Sequence, residues 1–195
     1  MSRVTIRMAE AADAEKLLKI YAPFVTSTAI SFEYEVPTEE EFRERIITKL
    51  EKFPYLVAEL DGEPVGYAYA STFIPRPAYD WSVEVTIYIK ESCTGQGIGR
   101  KLYDTLESCL IEQNIYNVNA CIAFTDHQDP YVTNRSMEFH EHMGYRLVGK
   151  FTNSGYKFGR WYDMIWMEKI LNPHPASPEP VIYRKDLLLH TKGET

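Results

Sequence analysis

Residues 92 to 101, SCTGQGIGRK, place glycines at 95, 97 and 99 between a β-branched run, VTIYI, and a helix-compatible stretch, LYDTLESCL. Glycine has no Cβ and tolerates left-handed backbone, so a loop of this kind lets main-chain N–H groups approach a bound anion. At the positive end of a helix dipole those groups attract phosphate. Arg100 and Lys101 add two cations beside them. Two familiar phosphate loops do not fit. No GxxxxGK followed by Ser or Thr occurs, and Arg100 stands where the dinucleotide fingerprint needs its third glycine. A phosphate cradle and a simple tight turn both remain open on spacing alone. Upstream, Glu84 lies on the run WSVEVTIYIK, where strand alternation puts it on one face with Thr86 and Tyr88. Apolar, tyrosine-rich surroundings would raise its proton affinity towards that of a general base. The plainer alternative for a lone Glu is a solvated strand residue.

These residues need a framework, and the sequence alternates strand and helix patterns around them. VTIRMA (residues 4–9) alternates like a half-buried strand, and Ala14, Leu17, Leu18 and Tyr21 follow at helical spacing with Asp13 as the expected cap. Thr38 to Glu41 spells a capping box for a second helix with Phe42, Ile46 and Leu50 on one face. YLVAEL and EPVGYAYAS flank Asp61-Gly62 as a hairpin. Behind the glycine loop, Ile98, Leu102, Leu106 and Leu110 point inward from a third helix. NVNACIA reads as a strand, Asn134 to Met143 as a helix stopped by Gly144, and YRLVGKFTNSG with RWYDMIWMEKIL as a closing antiparallel pair. The predicted class is α/β, a mostly antiparallel sheet with helices on its faces. It occupies residues 1–171, and the proline-rich stretch 172–195 forms an irregular surface tail.

A chain of 195 residues can bury a proper core as one domain. Its net charge of −7 argues against a nucleic-acid partner, which would be held by clustered Lys and Arg. No apolar run nears the roughly 20 residues of a membrane span, and MSRVTIRMAEAAD has no signal-peptide core. Cys93, Cys109 and Cys121 show neither disulfide nor zinc spacing, which points to the reducing cytoplasm. In TDHQDPYVTN (125–134), Asp126, His127 and Asp129 read as a polar turn, so no metal is expected.

The string Thr94-Gly95-Gln96-Gly97-Ile98-Gly99 resembles the acetyl-coenzyme A loop of the GNAT superfamily, Gln/Arg-x-x-Gly-x-Gly/Ala. IRMAEAADAEKLLKIY is similar to that family's opening strand and helix, and NRSMEFHEHMGYR to its last helix and turn. AYDWSVEVTIYI, FHEHMGY and YKFGRWYDM resemble the phosphinothricin and methionine sulfoximine acetyltransferase branch, and the likeness runs from about residue 4 to 171. It implies a sheet whose central strands splay apart. It also implies a homodimeric N-acetyltransferase that moves the acetyl group of acetyl-CoA to the α-amine of a small amino-acid-like substrate. The resemblance assigns cofactor binding to the main chain of Ile87, Tyr88 and Ile89, with one of these amides as oxyanion donor. To these it adds the loop residues Thr94, Gly95, Gln96, Gly97, Ile98, Gly99 and Arg100, and the amide of Asn134, which is otherwise a plain N-cap. Thr94 departs from the family's Gln or Arg, which shifts pyrophosphate binding towards Arg100 and the backbone.

On the same resemblance Glu84 is the general base. His140 falls where many members place a proton-donating tyrosine, and an imidazole there suits either acid or base work. An amino-acid substrate needs a cation for its carboxylate, and Arg76 in FIPRPAYDW is the candidate, with Phe32, Tyr34, Tyr79 and Trp81 as aromatic walls. The 125–134 stretch is longer than in typical relatives and would reshape the pocket or the dimer contact. Rival readings are acetylation of a peptide N-terminus or polyamine, and a non-catalytic acetyl-CoA sensor, against which the presence of both Glu84 and His140 argues.

Overall fold

The structure, a computed structural model, describes residues 4–184. Seven strands form one sheet: β1 (Val4–Met8), β2 (Tyr55–Leu60), β3 (Glu63–Thr72), β4 (Ser82–Ile89), β5 (Asn117–Phe124), β6 (Arg146–Lys157) and β7 (Arg160–Ile170). Their order is β1-β2-β3-β4-β5-β7-β6, and only the central β4–β5 pair is parallel. Two tight hairpins set the antiparallel registers. Asp61 and Gly62 (φ 52° and 88°) turn β2 into β3, and Phe158 and Gly159 (φ 51° and 72°) turn β6 into β7. Paired left-handed residues match the twist of the strands they join.

Helices α1 (Ala14–Thr26) and α2 (Glu39–Lys52) cover one face of the sheet, while α3 (Ile98–Glu112) and α4 (Arg135–His142) cover the other. Alternation along the strands separates two apolar clusters. Tyr55, Val57 and Tyr67 face α1 and α2, while Leu56, Ala68, Ala70, Val83 and Val85 face Leu102, Leu106 and Leu110 of α3. The capping box at α2 is formed in both directions: the Thr38 hydroxyl accepts from the Glu41 N–H at 3.2 Å, and the Glu41 carboxylate accepts from the Thr38 N–H at 2.7 Å. Asp13 differs from expectation. It stands at the start of α1, but its carboxylate accepts from Arg7 at 2.7 Å and from the Glu10 N–H at 2.8 Å, so it ties the helix entry to β1 instead of capping α1.

Residues 172–183 of the predicted tail have no regular structure, yet they are fastened down, while 185–195 lie outside the described residues. The indole of Trp81 donates to the Glu179 carbonyl at 2.7 Å, and the Gln113 amide donates to both Lys52 and Ile182 carbonyls at 2.8 Å. Val181 and Tyr183 pack against the larger apolar cluster. Among the described residues, no helix is long and apolar enough to cross a membrane.

Candidate active site

The site begins where the sheet comes apart. Strands β4 and β5 pair only through Ser82–Asn117, Val83–Val118 and Glu84–Asn119. At that last rung the Asn119 amide donates to the Val83 carbonyl at 3.1 Å. Beyond it β4 stays bonded to β3 while β5 stays bonded to β7, and the two central strands diverge. The gap is a cleft lined by Val85 to Tyr88 of β4 and Ala120 to Ala123 of β5. Ile30, Tyr103, Thr133, Ser136 and His140 complete its wall. One edge of β4 from Val85 to Tyr88 therefore lies along the cleft, which includes Ile87 and Tyr88 of the expected cofactor strand but not Ile89.

At the far end of β4, a short 3-10 turn (Glu91–Cys93) leads into the glycine loop. Gly95 and Gly97 have φ of 74° and 75°, and nothing lies within 4 Å of where a Cβ would stand on either. Both are left-handed because only glycine adopts that backbone without strain, and the surface they leave bare is open to a ligand. Gly97 is the N-cap of α3, and the first helical bond runs from Lys101 N–H to Gly97 C=O at 3.2 Å. Helix geometry leaves the N–H groups of Ile98, Gly99 and Arg100 without helical acceptors at the positive end of a 15-residue helix. Gly99 serves a different purpose from its neighbours. A Cβ there would stand 3.0 Å from the ring of Phe139 and 3.3 Å from Ile89, so its bareness lets α3 close onto α4 and β4. The Thr94 hydroxyl is engaged with the Glu91 carbonyl at 2.9 Å, and Gln96 with Ser92 at 3.3 Å; both brace the loop.

Glu84 sits at the fork, half-buried, on the α1/α2 face with Tyr69, Thr86 and Tyr88. Burial raises its carboxyl above the ordinary carboxylate range, with Lys49 pulling the other way. Burial also pushes Tyr69 up to about 12, so that phenol is neutral near neutral pH. Across the cleft His140 is only 2 % exposed. Its Nδ1 lies 2.7 Å from the Ser136 carbonyl, which can only accept, so the proton is on Nδ1. Nε2 is then an acceptor, 3.0 Å from the Tyr103 hydroxyl, which donates to it. Burial pushes the imidazole down to about 4 despite the Ser136 bond. Near neutral pH this ring carries no spare proton towards the cleft. Tyr103, fully buried on α3, joins it as a residue that the sequence pattern had concealed: within LYDTLESCL it reads as one more core position. Its one signal is the helical spacing from Gly99, four residues earlier on the same face.

The remaining expected site residues are dispersed. Asn134 begins α4 but makes no capping bond with its side chain. Its amide clasps the main chain of Thr125, donating at 2.9 Å and accepting at 3.3 Å, which fixes the end of β5 to α4. Arg76 and Tyr79 line a second cavity with Lys52, Phe53 and Tyr183 of the tail, and that cavity shares no residue with the cleft. Phe32 lies against Gly155 and Tyr162, and Tyr34, 70 % exposed, donates its hydroxyl to the Tyr156 carbonyl. These two rings pin the α1–α2 connection to β6. In the 125–134 loop, Asp126 pairs with Lys150 at 2.6 Å, and buried Asp129 pairs with Arg160 at 2.9 Å and accepts from the Tyr131 N–H at 2.8 Å. Both acids are occupied in shaping the turn.

The sequence profile of the acetyltransferase (GNAT) domain matches residues 6–166. The chain belongs to the GNAT acetyltransferase family. This GNAT chain is 33% identical over 178 residues to the phosphinothricin N-acetyltransferase of Streptomyces viridochromogenes, covering 91% of the chain and 93% of the relative. It is 28% identical to the L-methionine sulfoximine/L-methionine sulfone acetyltransferase of Salmonella typhimurium, covering 89% and 98%. Among solved structures, the GNAT phosphinothricin acetyltransferase from Sinorhizobium meliloti in complex with acetyl-CoA superposes with a TM-score of 0.82 at 31% identity, covering 94% of this chain and 96% of that one. The protein is therefore a GNAT-type acetyltransferase with the mixed, mostly antiparallel sheet of that family.

Proposed function

We propose that this enzyme transfers the acetyl group of acetyl-CoA to the α-amine of a small amino-acid-like acceptor such as phosphinothricin or methionine sulfoximine. The observation that carries the reading is the fork itself: Glu84 stands on the last paired rung of β4, the cleft opens from the next residue, and the same strand runs on to the glycine loop at the start of α3. The named relatives act on acceptors of this class. The chain's features fit the co-substrate. The bare surface of Gly95 and Gly97 with the first amides of α3 suits a pyrophosphate, with Arg100 alongside. The free edge of β4 offers main-chain bonds to an amide-bearing arm. The arm's thioester would lie beside Ile87 and Tyr88, where a main-chain N–H can stabilise the oxyanion.

Glu84, held above the ordinary carboxylate range, takes a proton from the acceptor's ammonium and frees the lone pair that attacks the acetyl carbon. The C–N bond forms, the C–S bond breaks, sulfur leaves with its electron pair, and the acylated nitrogen loses its second proton to water. The Tyr103–His140 pair holds the opposite wall and supplies no acid near neutral pH. A thiolate whose conjugate acid lies at about 8.5 can draw its proton from water. Glu84 then returns its own proton to solvent. The protein is further proposed to work as a homodimer in the cytoplasm. Leu147, Val148, Phe151 and Trp161 on β6 and β7 are 50–60 % exposed, apolar side chains that a second copy would cover, and the three cysteines are free thiols.

The test is thiol release from acetyl-CoA with amino acids, peptides and polyamines as acceptors. Turnover with methionine sulfoximine or phosphinothricin supports the reading. Turnover only with peptides or polyamines redirects it, and binding of acetyl-CoA without turnover refutes it.

A further inference from the structure

A buried cation holds the segment that follows α1. Lys157, at the end of β6, is only 2 % exposed, and among the described residues it enters no ion pair. Its ammonium donates at 2.7 Å to the Val25 carbonyl and at 2.7 Å to the Ser31 carbonyl. Taking an ammonium out of water is costly unless polar groups replace its hydration. Here a helix end supplies them. Carbonyls in the last turn of α1 have no donor further along the helix, and they stand at the negative pole of its dipole. Pro23 accepts from the Ser27 N–H at 3.0 Å, Phe24 from the Thr28 hydroxyl at 2.7 Å, and Val25 from Lys157. The lysine thus caps α1 from a strand 132 residues further along the chain. Between the two gripped carbonyls the chain turns, and Ile30 is the residue of this turn that lines the cleft. The same hairpin steadies the turn from outside: the Ala29 N–H donates to the Tyr131 carbonyl at 3.0 Å, and the Tyr131 ring stacks on Phe158 at 4.3 Å. An apolar side chain at 157 would escape the desolvation cost but would leave both carbonyls without this donor.

We propose that Lys157 is a positioning residue for acetyl transfer: by bridging Val25 and Ser31 it fixes the turn that sets Ile30 into the cleft wall, and with it the alignment of thioester and amine. This rests on the thioester lying in that cleft, as in the reading given above. Lys157 lines neither cavity, so it touches no reactant and acts through Ile30. A shift of about 1 Å in reacting groups can cost about 10²-fold in rate. A wall residue that drifts is therefore felt in turnover even when its anchor is remote from the chemistry. The turn is also joined to β4 through a ring. The Ser31 and Tyr21 hydroxyls lie 2.7 Å apart, and the Tyr21 ring meets Tyr88, another residue of the cleft wall, edge-on at 5.0 Å.

The experiment is a double-mutant cycle on the full chain: wild type, Lys157→Met, Ile30→Ala and the double variant, each checked for folding by circular dichroism at the assay temperature. The readout is kcat/KM at saturating acetyl-CoA with methionine sulfoximine, or whichever amine the wild type turns over, as acceptor. Each single change should lower kcat/KM about 10- to 100-fold. The double variant should match the poorer single within about 2-fold, because one wall residue is disturbed twice. General damage to the fold would instead multiply with the loss at Ile30. Where Lys157→Met does not fold, Lys157→Gln, which keeps two N–H donors, takes its place in the cycle. Losses that multiply, or a neutral single change at either position, overturn the assignment and leave the acetyltransferase reading standing. A wild type that turns over no amine overturns that reading itself.

Discussion

His140 offers a test that does not depend on turnover. Its ring is buried, donates from Nδ1 to Ser136 and accepts from Tyr103, and it resists protonation down to about pH 4 against an ordinary value of 6.5. In the unfolded chain the same ring takes up a proton near 6.5. Between those two values the unfolded state binds more protons, so stability falls as the pH is lowered through that window. From pH 7.5 to pH 5.5 this one group should cost about 1.4 kcal/mol, and down to pH 4 roughly 3 kcal/mol. His140→Gln removes the titration while leaving a side-chain carbonyl to accept from Tyr103. Urea unfolding of both proteins at pH 7.5 and 5.5, at one protein concentration, measures the difference. The wild type should lose about 1.4 kcal/mol more than the variant over that interval. Equal losses would refute the buried, neutral ring and reopen the acid or base role expected for His140.

Three substitutions probe the rest of the site. Glu84→Gln should lower kcat about 10²- to 10⁴-fold with little change in acetyl-CoA affinity, and the deficit should shrink as rising pH frees the amine; a flat ratio of rates across pH would remove Glu84 as base. Gly97→Val should weaken acetyl-CoA binding, measured by calorimetry, and should strain a backbone at φ 75° by about 1–2 kcal/mol. Gly99→Val acts on packing instead: overfilling the contact with Phe139 and Ile89 should lower stability by about 1–3 kcal/mol in thermal unfolding. If Gly99→Val proves neutral, α3 is less tightly seated than these distances indicate.

What the sequence disclosed follows from the range of the interactions involved. Local chemistry was legible: the Thr38 capping box, the Asp61-Gly62 hairpin, the strand-to-helix glycine loop and the alternation that aims Glu84 are all written within a few residues. Long-range competition was not. Asp13 occupies a cap position, but Arg7 takes its carboxylate, and the Asn134 amide is drawn to Thr125. Arg76 lies between Pro75 and Pro77, which fix the local chain without fixing which cavity it lines. Tyr103 and Lys49 each had a bland local explanation, a core ring and the basic end of a helix. Only the tertiary fold brings one to His140 and the other to Tyr69.

The rung closed by Asn119 has a consequence for how the molecule tolerates its own cleft. Two parallel strands left free to pair would zip shut to their ends, and unsatisfied strand edges normally invite other chains. Here those edges lie at the middle of the sheet, walled by α3 and α4, while its outer margins are β1 and β6. The seam is therefore shielded from a second polypeptide strand, and a slender thread with its own amides is the guest best shaped to complete it.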